Sequence, residues 1–363
     1  MFDQCLKEME DIYLSGFRSK LQQLVLNDNK KIIIFGAGDV GKTVLSILEQ
    51  NYKKAYAFCD NYKSGFYFET SVPILLPDDL VDSHNDAIVI IAVSSKQISD
   101  AMYDQIVGLG FSDTSIVRSY GDCFLSFTSI KTNFLDGFRW AYHFFSDQES
   151  KNIILSRIRG YLFGFDMEYL PWQDIYFPKD IFELSNQEVF IDAGAYDAAI
   201  SLDLIGRTKG HFKGIYAFEA DHDNYLVTRD RLAQYSNTKV IYAGLWHANG
   251  TISFISGEGQ GSKVDADGAS KIPAVALDEF FQDIDIKEYP TFIKMDIEGS
   301  EKAAILGAKK IIQLVRPKLA ISVYHRPEDI YELPMLINSI NSDYRFALRH
   351  YTKGYLETVL YAV

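Results

Sequence analysis

Three charged residues in the run FIKMDIEG, and one histidine directly after the run KLAISVY, are the strongest candidates for chemistry in this chain. In an extended segment alternate residues share a face, so Lys294, Asp296 and Glu298 would point to the same side. Charges in a buried strand are costly unless they are paired or open onto a site. His325 has Asp329 four residues on. An imidazole titrates near neutral pH and can take a proton as a general base. Together these groups suit the removal of a proton from a bound hydroxyl. His325 is then the base, Asp296 contacts both cofactor and acceptor, and Lys294 pairs with Asp296. Glu298 has two readings: it hydrogen-bonds acceptor hydroxyls, or it complements the dipole of the helix that follows. His325 also has a plainer reading as a cap on loop backbone. His350 and Tyr351 end another strand-like run and are further candidates to face the acceptor. Tyr324 and Trp246 read as core aromatics. Carboxylates beside a histidine are also a setting for Mg²⁺, but no ligand spacing is present and no metal is assigned.

Two turns could position small molecules next to such groups. The first, in the C-terminal half, is Asp192-Ala-Gly194-Ala195-Tyr196-Asp-Ala198, between a strand and a helix. Glu219, Ala220 and Asp221 then end a second strand, and Gly244, Leu245 and Trp246 follow a third. Ligands of open parallel sheets sit beyond the carboxyl ends of the strands. A leading aspartate with few glycines suits an adenosine ligand without phosphates, as in S-adenosylmethionine. Glu219 could accept hydrogen bonds from both ribose hydroxyls. The other turn, Gly36-Ala-Gly38-Asp-Val-Gly41, matches G-x-G-x-x-G after a strand, with Asp60 ending the next strand. That context predicts a nucleotide site, with phosphates at the helix N-terminus and the acid on ribose.

The elements that must carry these residues read as two α/β blocks. Residues 1–29 form a helical lead-in; Lys31 to Phe35, Ala55 to Cys59 and Ala87 to Val93 are strands alternating with helices. Residues 1–120 are therefore a small parallel α/β domain. Residues 121–187 are aromatic-rich with helical spacing and form a connector, broken at the prolines after Tyr169 and Tyr176. Residues 188–363 resume strand–helix alternation and end in YRFALRHY and ETVLYAV, a pair suited to antiparallel pairing around Lys353-Gly354. With 363 residues, 47% hydrophobic and 23% charged, the chain is globular. Its 36 basic and 49 acidic residues give a net charge of −13, which supports neither nucleic acid nor an anionic membrane surface as a partner. No apolar run approaches the ~20 residues of a membrane span, and no secretory signal is visible. Cys5, Cys59 and Cys123 are scattered, which suits a reducing cytoplasm.

From about Asp136 to the C-terminus the chain resembles the FkbM family of S-adenosylmethionine-dependent methyltransferases. The resemblance is carried, in family order, by FSDQESK, EVFIDAGAYD, YAFEAD, AVALDEF, FIKMDIEGSE, AAILGA, ISVYHRPED, LRHY and ETVLYA. It implies a class I methyltransferase fold, a Rossmann-like sheet to which the terminal pair read above adds an antiparallel C-terminal hairpin, and usually O-methylation. The substrates so implied are often sugars in polysaccharide or natural-product biosynthesis. One departure is Ala198, where the cofactor turn usually carries another glycine. The N-terminal half resembles, more loosely, nucleotide-sugar-binding Rossmann-like domains. The leading expectation is a cytoplasmic enzyme that methylates a sugar hydroxyl, including one on a nucleotide-linked sugar. The alternatives are an NAD-dependent oxidoreductase built on Gly36–Gly41, which lacks a Ser-Tyr-x-x-x-Lys set, and a nonenzymatic nucleotide-sugar-binding scaffold.

Overall fold

The computed structural model describes residues 1–15, 30–50, 53–67, 70–83, 86–93, 96–112, 115–120, 130–163, 167–255, 263–264 and 270–363. The second half of the expected lead-in helix, Ser94-Ser95, Cys123 and the start of the expected connector lie outside these residues. The chain divides into two compact units. One holds Met1–Arg139, Asn152–Glu168 and Lys353–Tyr355; the other holds Trp140–Lys151, Tyr169–Thr352 and Leu356–Val363.

The first unit begins with α1 (Phe2–Ser15), then β1 (Lys31–Phe35), α2 (Asp39–Gln50), β2 (Ala57–Cys59), β3 (Gly65–Phe66), β4 (Pro73–Leu75), β5 (Ala87–Val93), α3 (Lys96–Gly108) and β6 (Ile116–Tyr120). The strands form a six-stranded sheet in the order β3-β4-β2-β1-β5-β6. All its pairs are parallel except β3 with β4. β1 and β5 are almost wholly apolar and buried, as strands covered by helices on both faces must be. The short strands β3 and β4 have no counterpart in the sequence reading. They are too brief to show an alternating pattern.

The segment after β6 supplies α4 (Leu135–Phe144) and α5 (Gln148–Phe163). The second unit continues with β7 (Val189–Ala193), α6 (Ala199–Arg207), β8 (Gly214–Glu219), α7 (His222–Leu232) and β9 (Thr238–Tyr242). Then come β10 (Gly244–Leu245), β11 (Gly250–Ile255), β12 (Lys263–Val264), β13 (Ser270–Val275) and α8 (Leu277–Phe280). The last elements are β14 (Phe292–Met295), α9 (Glu301–Gly307), α10 (Lys309–Val315), β15 (Lys318–Ser322), α11 (Asp329–Ile340), β16 (Phe346–His350) and β17 (Thr358–Ala362).

A seven-stranded sheet in the order β16-β17-β15-β14-β7-β8-β9 is the platform of this unit. β15, β14, β7, β8 and β9 run parallel, whereas β17 is antiparallel to both β15 and β16. The order reverses direction between β7 and β14, which is where an open α/β sheet opens a ligand crevice. Strands β10 to β13 form a separate four-stranded sheet. Under the main sheet, Phe292 and Phe190 pack at 5.0 Å between ring centroids, with Phe177 and Phe182 against Phe292 at 5.8 and 5.3 Å. This aromatic layer anchors β7 and β14, whose ends carry the site. Among the described residues, no helix is long and apolar enough to cross a membrane.

Candidate active site

The turn after β7 is built around a buried ion pair. Asp192 is fully buried; Ser201 Oγ donates to its Oδ2 at 2.7 Å, and Lys294 Nζ lies 3.2 Å from its Oδ1. Lys294, 3% exposed, also donates to the carbonyls of Ala193 (3.1 Å) and Gly194 (2.7 Å). Burial disfavours its charge, but Asp192, Asp296 and Glu219 outweigh that and raise its pKa. Lys294 therefore stays an ammonium. The expected pairing of Lys294 with Asp296 is corrected: the close partner is Asp192, because the parallel register places Lys294 beside Asp192 on the neighbouring strand.

The turn is tight and closely packed. Gly194 has φ +74°, and a Cβ there would lie 1.9 Å from the carbonyl oxygen of Asp296. Only glycine satisfies both demands, and the consequence is that the turn and the end of β14 are in direct contact. Ala198 ends the turn with φ 64°. That left-handed conformation explains why glycine suits the position, since alanine adopts it at a cost of about 1–2 kcal/mol.

Glu219 reaches across from β8. Its two carboxylate oxygens accept the backbone N–H of Tyr196 (2.7 Å) and of Asp221 (2.8 Å). Burial pushes its pKa up, while these two hydrogen bonds work in the other direction. Asp221 caps α7, accepting from the N–H groups of Asp223 and Asn224 at 3.0 and 3.2 Å. Ala220 and Gly244 adjoin each other: a Cβ on Gly244 would lie 4.0 Å from that of Ala220. Ala195 and Leu245 are buried, whereas Tyr196 is exposed. The carbonyl of Trp246 packs against Gly307 on α9.

The second cluster gathers at the ends of β14 and β15. Asp296 Oδ2 accepts from Tyr176 Oη at 2.9 Å, and Oδ1 from Tyr324 Oη at 3.0 Å. Burial opposes its charge, but Lys294, His325 and the two hydroxyls hold its pKa below the usual value. Asp296 is ionised. His325 Nε2 lies 3.4 Å from Asp296 Oδ1 and 3.5 Å from Glu298 Oε2, and its Nδ1 lies 3.1 Å from Glu301 Oε1. Burial disfavours an imidazolium, yet Glu301, Asp296 and Glu298 prevail and lift its pKa to about 9. The expected neutral imidazole at pH 7 is therefore corrected, because three carboxylates converge on one ring. Asp329, at the start of α11, accepts from Arg326 N at 3.0 Å, and burial together with Glu301 pushes its pKa up to about 7.

The alternation expected through Glu298 does not hold, because β14 stops at Met295. Glu298 and Gly299 take φ values of 54° and 87°, and this left-handed turn is what brings Glu298 back to His325. Non-glycine strain of this kind concentrates at functional sites. His350 and Tyr351 are corrected as acceptor-facing residues. Both are buried, His350 Nδ1 beside Thr358 Oγ1 and Tyr351 Oη beside Tyr361 Oη, each at 2.8 Å. Tyr324, read as core, is buried as expected, and its hydroxyl also donates to Asp296. Tyr176 and Glu301 were not singled out from sequence. One ligand atom each from Asp296, Glu301 and His325 lie within 4.8 Å of one another, so a cation could be held there. Their separation in sequence gives no metal-binding spacing.

Residues 192–347 match the family model of the methyltransferase FkbM domain. The chain is an S-adenosylmethionine-dependent methyltransferase. The chain is also similar to a solved FkbM methyltransferase from Methylobacillus flagellatus KT. That likeness spans 99% of this chain and 98% of that one, with a TM-score of 0.76 at 23% identity. Aeropyrum pernix fibrillarin with bound S-adenosyl-L-methionine is similar over 51% of this chain and 71% of its own, with a TM-score of 0.34 at 10% identity. No curated protein matches the sequence.

The matched residues hold both clusters except Tyr176. They fit the cofactor. Glu219 keeps lone pairs beyond its two N–H partners. Asp192, Gly194 and Glu219 would hold the cofactor's amino-acid and ribose groups, with Asp296 beside them. When bound, it supplies an electrophilic methyl on a cationic sulfonium. Glu219→Ala should weaken S-adenosylhomocysteine binding by about 1–3 kcal/mol, through loss of charge-assisted hydrogen bonds. Calorimetry checks this, and unchanged affinity with an intact fold would remove Glu219 from the site.

Proposed function

We propose that this methyltransferase acts on a hydroxyl of a sugar, free or nucleotide-linked, in the cytoplasm. The observation that carries this reading is the convergence of Asp296, Glu298 and Glu301 on His325, against the Gly194 turn. A hydroxyl is a weak nucleophile whose proton must leave as the new carbon–oxygen bond forms. Nε2 of His325 takes that proton, while Asp296, fixed by two tyrosine hydroxyls, orients the acceptor. Glu298 is partly exposed beside Nε2 and is placed to accept hydrogen bonds from the acceptor's other hydroxyls. Positioning of this kind supplies most of the acceleration in a two-substrate reaction. The test is transfer of labelled methyl from S-adenosylmethionine to a panel of monosaccharides and nucleotide sugars. Methylation on oxygen supports the reading, and methylation on nitrogen or carbon alone removes it.

The first unit is proposed to bind a nucleotide or nucleotide sugar at Gly36–Gly41. Gly36 and Gly41 are demanded by packing: a Cβ would lie 2.4 Å from Ala92 O at one and 2.1 Å from Gly36 O at the other. Gly38 alone has open space around it, as an approaching phosphate would need. Asp60 already accepts from Ala37 N at 3.0 Å and from Tyr62 N and Lys63 N at 2.9 and 3.2 Å, so it holds the turn closed. Nucleotide-sugar binding is expected to fall at least tenfold in Gly38→Val, while cofactor binding is unchanged. Equal binding by wild type and variant would leave the turn structural. Bound NAD with hydride transfer would favour the redox alternative.

A further inference from the structure

Glu357 is used by nothing described so far, yet it stands at the same edge of the sheet as the reacting groups. β15 and β17 pair antiparallel from Leu319↔Ala362 to Ser322↔Val359. The pairing continues with Val323 N donating to Thr358 O at 2.9 Å. One residue further, the register sets Glu357 opposite Tyr324, whose hydroxyl binds Asp296 and which directly precedes His325. On the other side, Tyr351 N donates to Glu357 O at 3.1 Å. The backbone of Glu357 is thus clamped between the ends of two strands.

Two features are out of place for a structural glutamate. Its φ is 61°, a left-handed conformation that a non-glycine residue adopts at a cost. Its Oε2 is buried and makes no hydrogen bond. A buried carboxyl oxygen without a partner is an expensive arrangement unless a ligand completes it. The strain and the open valence fall on one residue, at the carboxyl ends of β14 and β15.

We propose that Glu357 is an acceptor-binding residue of the methyl-transfer site, hydrogen-bonding a hydroxyl next to the one that is methylated. This rests on the sugar reading given above and adds to it a substrate class: a polyol or sugar ring with adjacent hydroxyls. Burial, Asp296 and Glu298 push the Glu357 carboxyl up to about 8, against Lys294 and His325. At neutral pH it carries a proton while Asp296 does not. A protonated carboxyl donates from one oxygen and accepts at the other, which matches a hydroxyl that also does both. Two carboxyl groups held in opposite states divide the labour. Asp296 faces the reacting centre as an anion, and Glu357 grips the neutral ring without adding a charge beside it.

The experiment compares wild type, Glu357→Gly and Glu357→Gln, using whichever nucleotide sugar of the panel the wild type methylates fastest, together with its ring-deoxy analogues. Glycine adopts φ 61° freely, so Glu357→Gly removes the carboxyl without straining the chain. Its melting temperature should not fall, because strain and a buried unpaired carboxyl are both removed, and its S-adenosylhomocysteine affinity should be unchanged. Its KM for the sugar should rise about tenfold, the loss of roughly one hydrogen bond, with kcat changed by less than about threefold. Glu357→Gln, whose amide also donates and accepts, should stay within about threefold of wild-type KM. One deoxy analogue should lose about tenfold with wild type and nothing further with Glu357→Gly. Unchanged KM in Glu357→Gly, or a deoxy penalty equal in both proteins, overturns the assignment while leaving the sugar reading intact. A wild type that methylates no sugar of the panel overturns both.

Discussion

Replacing His325 by glutamine is expected to lower turnover by about two to four orders of magnitude, the range for a lost general base. Cofactor affinity should hardly change, because the Asp192 turn and Glu219 are untouched. The wild type should show a matching pH signature. The carboxylates of Glu301, Asp296 and Glu298 hold a proton on His325 up to about pH 9. The base form is scarce at pH 7 and grows as pH rises, so turnover should climb about tenfold per unit and level off near pH 9. Glu301→Gln removes one of the facing carboxylates. It should lower the pKa of His325 and move the climb to lower pH, whereas a merely structural Glu301 would leave the profile in place. The profile should also survive a chelator. Loss of activity on chelation, restored by a divalent ion, would instead put a cation among Asp296, Glu301 and His325. Near-normal turnover in His325→Gln with the true acceptor would remove the base assignment.

Lys294→Met should cost about 3–5 kcal/mol of stability, more than the usual point substitution. The ammonium has three oxygen partners around it, and removing it leaves the Asp192 carboxylate buried without its counter-charge. The carbonyls of Ala193 and Gly194 lose their donor at the same time, so cofactor binding should weaken too. Urea unfolding measures the first effect and calorimetry with S-adenosylhomocysteine the second. The double variant Asp192→Asn with Lys294→Met should recover part of the stability, since neither partner is then left charged alone. Unchanged stability in the single variant would show that the buried pair does not hold the turn together.

The contrast between these two residues shows what the sequence carried. Asp192, Gly194 and Glu219 could be placed because each ends an apolar strand, and strand ends are visible as breaks in hydrophobic runs. Asp296 and His325 were legible for the same reason. The partner of Lys294 was not, because it is fixed by the register between β14 and β7, residues 102 positions apart from Phe190 to Phe292 being neighbours. Tyr176 is 120 residues from Asp296 in sequence, and a tyrosine among aromatics reads as core. Glu301 stands one turn beyond the strand, where its Oε1 accepts from Ile297 N at 2.9 Å and so closes the loop under His325. Glu298 reached the right place by a left-handed turn rather than by strand alternation. The glycines of G-x-G-x-x-G were visible, but only the structure separates Gly36 and Gly41, which packing requires, from Gly38, which it does not.

The most direct measurement is mass spectrometry with product NMR, after the purified protein has been incubated with S-adenosylmethionine and a panel of nucleotide sugars and monosaccharides. The expected product is a sugar bearing one added O-methyl group, formed together with an equal amount of S-adenosylhomocysteine, at a rate that rises toward pH 9. Cofactor bound with the affinity of an active site, but no oxygen-methylated sugar from any member of the panel, would contradict the sugar reading.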